Sequence, residues 1–284
     1  MTFMEKIQDF SLVNRIAVVT HATQANGPAI CEALGRQGAK VVVGDIPANN
    51  PVAEAQHLAK LGCEALGIEV DASQVNHLQH LVAHTVQQYG RIDIMVNNTL
   101  LNDSQPAEEL PIETFAQGVS ATIDSVFFGC QVAAQHMLKQ EALQTEPYPL
   151  KGSIINVASV AGEMAIPGHA AYCSAMAGVI AITKVLAAEW GPQGVRVAAV
   201  GAGITESLLK SIGIEDLSNV ESTLPAETYM TLKSNAPTGY IPVKATASPP
   251  VVGQAVAYLA SGAASYITGT TLYTDGGWLA YGYL

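Results

Sequence analysis

The chain has 284 residues, 49% of them hydrophobic and 13% charged, with a formal net charge of −11. That composition supplies a sizeable core and excludes an extensively disordered chain. The acidic balance argues against nucleic acid or an anionic membrane as partner.

Short β-branched runs alternate with longer helical patterns along the chain. RIAVVT (15–20) reads as a buried strand, and PAICEALGRQG (28–38) as a helix closed by glycine. KVVVGD (40–45) is a strand and VAEAQHLAKLG (52–62) a helix. ALGIEVD (65–71) is a strand, followed over 73–90 by a helix with a capping serine and a terminal glycine. IDIMVNN (92–98) is a strand and 113–138 a long helix. GSIINVAS (152–159) and VRVAAV (195–200) are strands, with a helix over 170–190 between them. A helix over 254–262 and a strand within TTLYTDGG (270–277) finish the pattern. Continuous apolar strands alternating with amphipathic helices imply a parallel sheet covered on both faces. One segment, 204–250, breaks the rhythm with prolines and polar residues. Its length and its place after a strand end predict a substrate loop or lid.

Four widely spaced cysteines (Cys31, Cys63, Cys130, Cys173) read as reduced thiols of a cytoplasmic protein. The opening stretch MTFMEKIQDFSLVN lacks an apolar h-region, so no signal peptide is expected. No run approaches the roughly 20 apolar residues of a membrane span. His77, His80 and His84 share one helix, but Leu78, Leu81, Val82 and Val86 form its buried face. The histidines therefore face outward, and no metal is expected. His169 reads as a loop histidine, and Cys173 as an unactivated thiol with no cation nearby in sequence.

Four pieces of the chain carry a resemblance. V-N-N (96–98), GSIINVASVAG (152–162), AAYCSA (170–175) and YITGTTLYTDGG (266–277) occur in the order and spacing of the short-chain dehydrogenase/reductase family. The likeness spans about residues 12 to 280. It implies a Rossmann-like, doubly wound parallel sheet in three α/β/α layers, one domain over 1–284. It also implies a small-molecule substrate, NAD as cofactor, and a homo-oligomer (dimer or tetramer) paired through helices 113–138 and 170–190.

The resemblance also marks departures. The family loop T-G-x-x-x-G-x-G reads T-H-A-T-Q-A-N-G here, so His21 and Ala25 replace glycines and only Gly27 survives. Glycines there allow unusual backbone angles and close approach to a pyrophosphate. Asp45 matches the acid that binds the adenosine ribose and disfavours a 2′-phosphate. Asp71 resembles the adenine-contacting aspartate, and Asn97 the first asparagine of N-N-A-G. Ala202 and Gly203 stand where the family has P-G, and Ser207 matches the nearby hydroxyl. Glu163, after Ser159, is a candidate substrate contact.

Ser159 and Tyr172 match the pair that bonds the substrate oxygen, with tyrosine as acid/base. A free phenol titrates near pH ~10, so the family adds a lysine one helical turn on. Met176 occupies that position, and a thioether cannot stabilise tyrosinate. Lys184 is two further turns away, roughly 12 Å along the helix. Thr122 takes the place of the family's helix asparagine. The implied function is an NAD(H)-linked oxidoreductase of a small hydroxy or carbonyl compound, with impaired or unconventional redox. Two alternatives stay open. One is a non-redox enzyme (isomerase, cyclase, lyase or dehalogenase type) using Ser159 and Tyr172 as donors. The other is a silent subunit assembled with an active paralogue.

Overall fold

Seven strands form one parallel sheet in the order β3-β2-β1-β4-β5-β6-β7. The computed structural model describes residues 10–99, 105–143, 148–203, 241–243 and 245–281. The strands are β1 Ile16–Thr20, β2 Lys40–Asp45, β3 Ala65–Glu69, β4 Ile94–Asn97, β5 Gly152–Ser159, β6 Val195–Ala202 and β7 Thr271–Thr274. The helices are α1 Gly27–Arg36, α2 Pro51–Lys60, α3 Val75–Tyr89, α4 Ile112–Met137, α5 Ala170–Trp190, α6 Pro249–Ala260 and α7 Trp278–Tyr281.

Strand side chains alternate between two cores, as a period of two requires. Val19, Val43, Val96, Val157 and Val200 pack with Ile30 and Leu34 of α1, Leu58 of α2 and Val252 and Val256 of α6. Val18, Val42, Met95, Ile154 and Val197 face Leu78 and Leu81 of α3, Val126 of α4 and Val179 of α5. The three-layer doubly wound arrangement is therefore as expected.

Boundaries differ at informative places. α6 begins at Pro249, inside the stretch read as irregular, because proline is tolerated in a first helical turn. Ser73 does not cap α3. The helix starts at Val75 after Gln74, whose side chain makes no capping bond. Contrary to the expectation that nothing approaches a membrane span, α5 with its 3₁₀ extension, Ala170–Gln193, is long and apolar enough to cross one. Its Met176, Val179, Ile180, Leu186 and Ala187 pack in the core beneath the sheet, as a buried helix of an α/β fold does. Most of the 204–250 segment, and Ser207 with it, lies outside the described residues.

β1 and β4 are sheet neighbours, with Thr20 beside Asn97. The chain winds one way from β1 to β3 and the other way from β4 to β7. Such a reversal leaves a crevice beyond the carboxyl ends of the two central strands. His21 and Asn98 are the first residues past those ends.

Candidate active site

The loop from β1 to α1 turns through backbone angles that favour glycine at positions that are not glycine. His21 and Ala25 both adopt positive φ, 45° and 49°. Non-glycine residues rarely do so, which marks these positions as ones the fold dictates. Gly27 is required on space alone. A Cβ there would stand 2.5 Å from the His21 carbonyl oxygen and the Ala22 carbonyl carbon. Gly27→Ala should therefore lower the urea midpoint by the equivalent of about 1–3 kcal/mol, since backbone must move. An unchanged midpoint would show that the loop yields freely.

Two sets of bonds tie this loop to its neighbours. His21 Nδ1 lies 2.9 Å from the Asn98 carbonyl oxygen. A carbonyl only accepts, so that nitrogen carries the proton. Asn98 Nδ2 donates back to the His21 carbonyl at 2.9 Å and to the Gln24 carbonyl at 3.4 Å. On the other side, the Thr23 amide and hydroxyl both donate to Asp45 Oδ2, at 3.0 and 2.8 Å. Asp45 Oδ1 accepts from the Ile46 amide and from Asn49 Nδ2, each at 2.8 Å. Burial of Asp45 would raise its pKa, but the bonds from Asn49, Thr23 and Ile46 outweigh it and hold the carboxyl below the ordinary aspartate value. Neither Thr23, Asn49 nor Asn98 stands out from the sequence. The only signal was Asn98's place as the second of two asparagines.

Asp71 lies past β3. Its Oδ1 accepts from the Ser73 hydroxyl at 2.7 Å and amide at 2.9 Å, which lower its pKa despite partial burial. The Asp71 amide meets His77 Nδ1 at 3.3 Å, so His77 joins this turn. His77 and His80 are exposed.

Asn97 points inward. Its Nδ2 donates to Asn156 Oδ1 at 2.8 Å and contacts Cys130 Sγ at 3.2 Å. Asn156 Nδ2 continues to Thr183 Oγ1 at 2.9 Å. The cluster joins β4, β5, α4 and α5 beneath the sheet. Burial pushes the Cys130 thiol up to about 12, against the bonds with Asn156 and Asn97.

Ser159 ends β5, and its Oγ accepts from the Ala161 amide at 3.2 Å, capping a 3₁₀ turn over Val160–Gly162. Glu163, just past that turn, accepts from the Tyr273 hydroxyl of β7 at 2.9 Å. Tyr172 sits in the first turn of α5. Burial raises its phenol above the ordinary value, although the neighbouring Ser159 hydroxyl pulls the other way. The structure thus brings Ser159 and Tyr172 together.

Met176, one turn on, is 1% exposed and belongs to the core with Ala158, Val179 and Ile180. Gly162 packs directly over it, so that a Cβ at Gly162 would lie 2.9 Å from the Met176 carbonyl oxygen. Thr122 of α4 is buried, and its hydroxyl has no hydrogen-bond partner. Lys184 is exposed, two turns further along α5. His169 is not an open loop residue. It is 6% exposed at the N-terminal flank of α5, with Nδ1 3.1 Å from the Pro167 carbonyl. Gly203 meets β7, its amide donating to the Thr274 carbonyl at 3.3 Å.

A dinucleotide could lie across this crevice only by displacing contacts that the side chains already make. Four donors from the chain occupy the Asp45 carboxylate, which offers about four acceptor sites. The His21 imidazole bridges to β4 where glycine would leave space. A buried thioether, not a cation, stands one turn beyond Tyr172.

The fold and the donor pair define a class, and comparison with known proteins agrees. The family model for enoyl-(acyl carrier protein) reductase matches residues 22–279. D-threitol dehydrogenase of Mycolicibacterium smegmatis is 31% identical over 270 residues, covering 95% of each chain. Glucose 1-dehydrogenase 2 of Bacillus subtilis is 30% identical over 273 residues, covering 95% of this chain and 96% of that one. The crystal structure of gox2181 superposes with a TM-score of 0.83 at 28% identity, covering 98% of this chain and 100% of that one. The chain belongs to the short-chain dehydrogenase/reductase family of oxidoreductases.

Proposed function

We propose that this chain is an oxidoreductase of a small hydroxy or carbonyl compound whose redox chemistry is impaired or unconventional. Ser159 and Tyr172 hold the substrate oxygen. Tyr172 serves chiefly as a neutral hydrogen-bond donor. The observation that carries this reading is Met176, packed in the core where a cation would lower the phenol pKa. Asp45 favours NAD over NADP, since a second negative charge there is repelled. The relatives' names point to polyols and sugars as first substrates to test. Exposed Phe115 and Phe127 on α4 and Val185 on α5 support assembly with a second subunit through those helices.

The test is NAD reduction with D-threitol and with glucose as pH is raised from about 7 to about 11. The phenol pKa is raised, so its basic form accumulates only above the ordinary tyrosine range. The rate should therefore be very low near neutrality and climb throughout, without a plateau at pH ~7. Tyr172→Phe should abolish the climb, and Ser159→Ala should lower the rate by about 100-fold or more. A plateau near neutrality would defeat this reading. The raised phenol also favours a second reading, a non-redox enzyme using the pair as donors. No NAD reduction at any pH, with a discovered lyase or isomerase activity lost in Tyr172→Phe, would select it.

A further inference from the structure

We propose that the chain closes its own nucleotide crevice, and that Thr23 is the residue that sets how weakly a dinucleotide binds. The inference deepens the reading above by assigning the cofactor side of the same site.

Two observations stand behind it. The crevice of an open α/β sheet lies between the carboxyl ends of the strands where the winding reverses. In this chain those ends are joined. His21, past β1, and Asn98, past β4, exchange two bonds of 2.9 Å. The loop is fastened on its other side as well. Thr23 places both its amide and its hydroxyl on Asp45 Oδ2, while Asn49 and the Ile46 amide take Oδ1. Asp45 is 2% exposed, so no solvent-facing acceptor is left over. A ribose diol can reach this carboxylate only by displacing one of these donors. Thr23 and Asn49 are the two that hold it by side chain. Both stand at 2.8 Å, and the Thr23 hydroxyl is the closer chemical analogue of a ribose hydroxyl.

Removing a competing donor should therefore strengthen dinucleotide binding, the reverse of what deleting a binding residue does. Thr23→Val keeps the shape and removes the hydroxyl. Thr23→Ser keeps the hydroxyl. NADH binding is read by fluorescence titration of the intact protein, with thermal melts of each variant alongside. Thr23→Val should bind NADH about five- to tenfold more tightly than the parent, and Thr23→Ser about as the parent does. Asn49→Ala should also tighten binding, and it stands in if Thr23→Val does not fold. Adding His21→Gly to the folded variant should tighten binding further. NADPH should gain less, because Asp45 remains charged.

Binding of NADH by Thr23→Val or Asn49→Ala that is unchanged or weaker, in proteins that melt like the parent, overturns the proposal. So does undetectable binding in every variant. Repeating the titration in Tyr172→Phe separates the two readings. A gain that persists there supports the crevice closure whatever the chemistry of Ser159 and Tyr172 proves to be.

Discussion

Met176→Lys alone should leave NAD reduction with D-threitol or glucose at the parent's level near neutral pH, and should destabilise the protein. Lysine is the residue the family uses at this position, so the exchange looks like a repair. The surroundings argue otherwise. Met176 is 1% exposed and packs with Ala158, Val179 and Ile180 under the Gly162 turn. A lysine there must either bury an ammonium or lose its proton. An uncompensated buried charge costs about 3–5 kcal/mol, to be read as a fall in the urea midpoint. Thr122 of α4, which the resemblance sets at a family asparagine position, has a buried hydroxyl without a partner. Even a charged lysine would act beside a crevice joined by His21 and Asn98. Turnover at neutral pH in the single variant would show that the loop admits a dinucleotide as it stands. In that case the proposed closure of the crevice would not limit turnover.

The second large effect concerns stability and lies away from the site. Arg196→Met should lower the stability by about 3 kcal/mol or more, measured by urea denaturation. Arg196 is on β6 and 4% exposed. Its Nη2 donates to Ser153 Oγ on β5 at 2.6 Å and to the Leu259 carbonyl at 2.7 Å. Its Nη1 donates to the Ile267 carbonyl at 3.0 Å. The guanidinium thus joins two strands, the last turn of α6 and the chain leading to β7. Cations are also favoured at a helix C-terminus. Methionine fills similar volume but leaves the buried Leu259 carbonyl, the half-buried Ile267 carbonyl and the Ser153 hydroxyl without this donor, and a buried loss of this kind costs about 1–3 kcal/mol. A midpoint within error of the parent would mean that water satisfies these groups equally well.

Arg196 also illustrates what reading along a chain misses. VRVAAV is recognisable as a strand because valine and alanine dominate it. Nothing local says that its arginine points into protein and caps a helix more than 60 residues away. The bond to Leu259 depends on β6 and α6 packing together. The same holds for Asn97. Its place at a strand end suggested a crevice residue, yet its amide turns into a polar cluster with Asn156, Cys130 and Thr183. Strand alternation fixes the face on which a side chain lies, but the partner on that face comes from other elements. Ser73 failed as a cap for a local reason. Asp71 is a stronger acceptor two residues earlier, and Ser73 donates to it.

The sequence by itself determined the layered sheet and nearly every strand and helix, because hydrophobic period is a local property. Through the family resemblance it also marked an inventory to test: Ser159 and Tyr172 at the donor positions, and Met176, His21 and Ala25 where a lysine and two glycines are expected. Only the tertiary structure decided what the replacements do. It buried Met176 in the core beside Tyr172. It joined His21 to Asn98 across the crevice and set Thr23 on Asp45. These contacts link residues 22 to 77 positions apart. Sheet order, set by packing of the whole chain, is what brings such residues within a hydrogen bond.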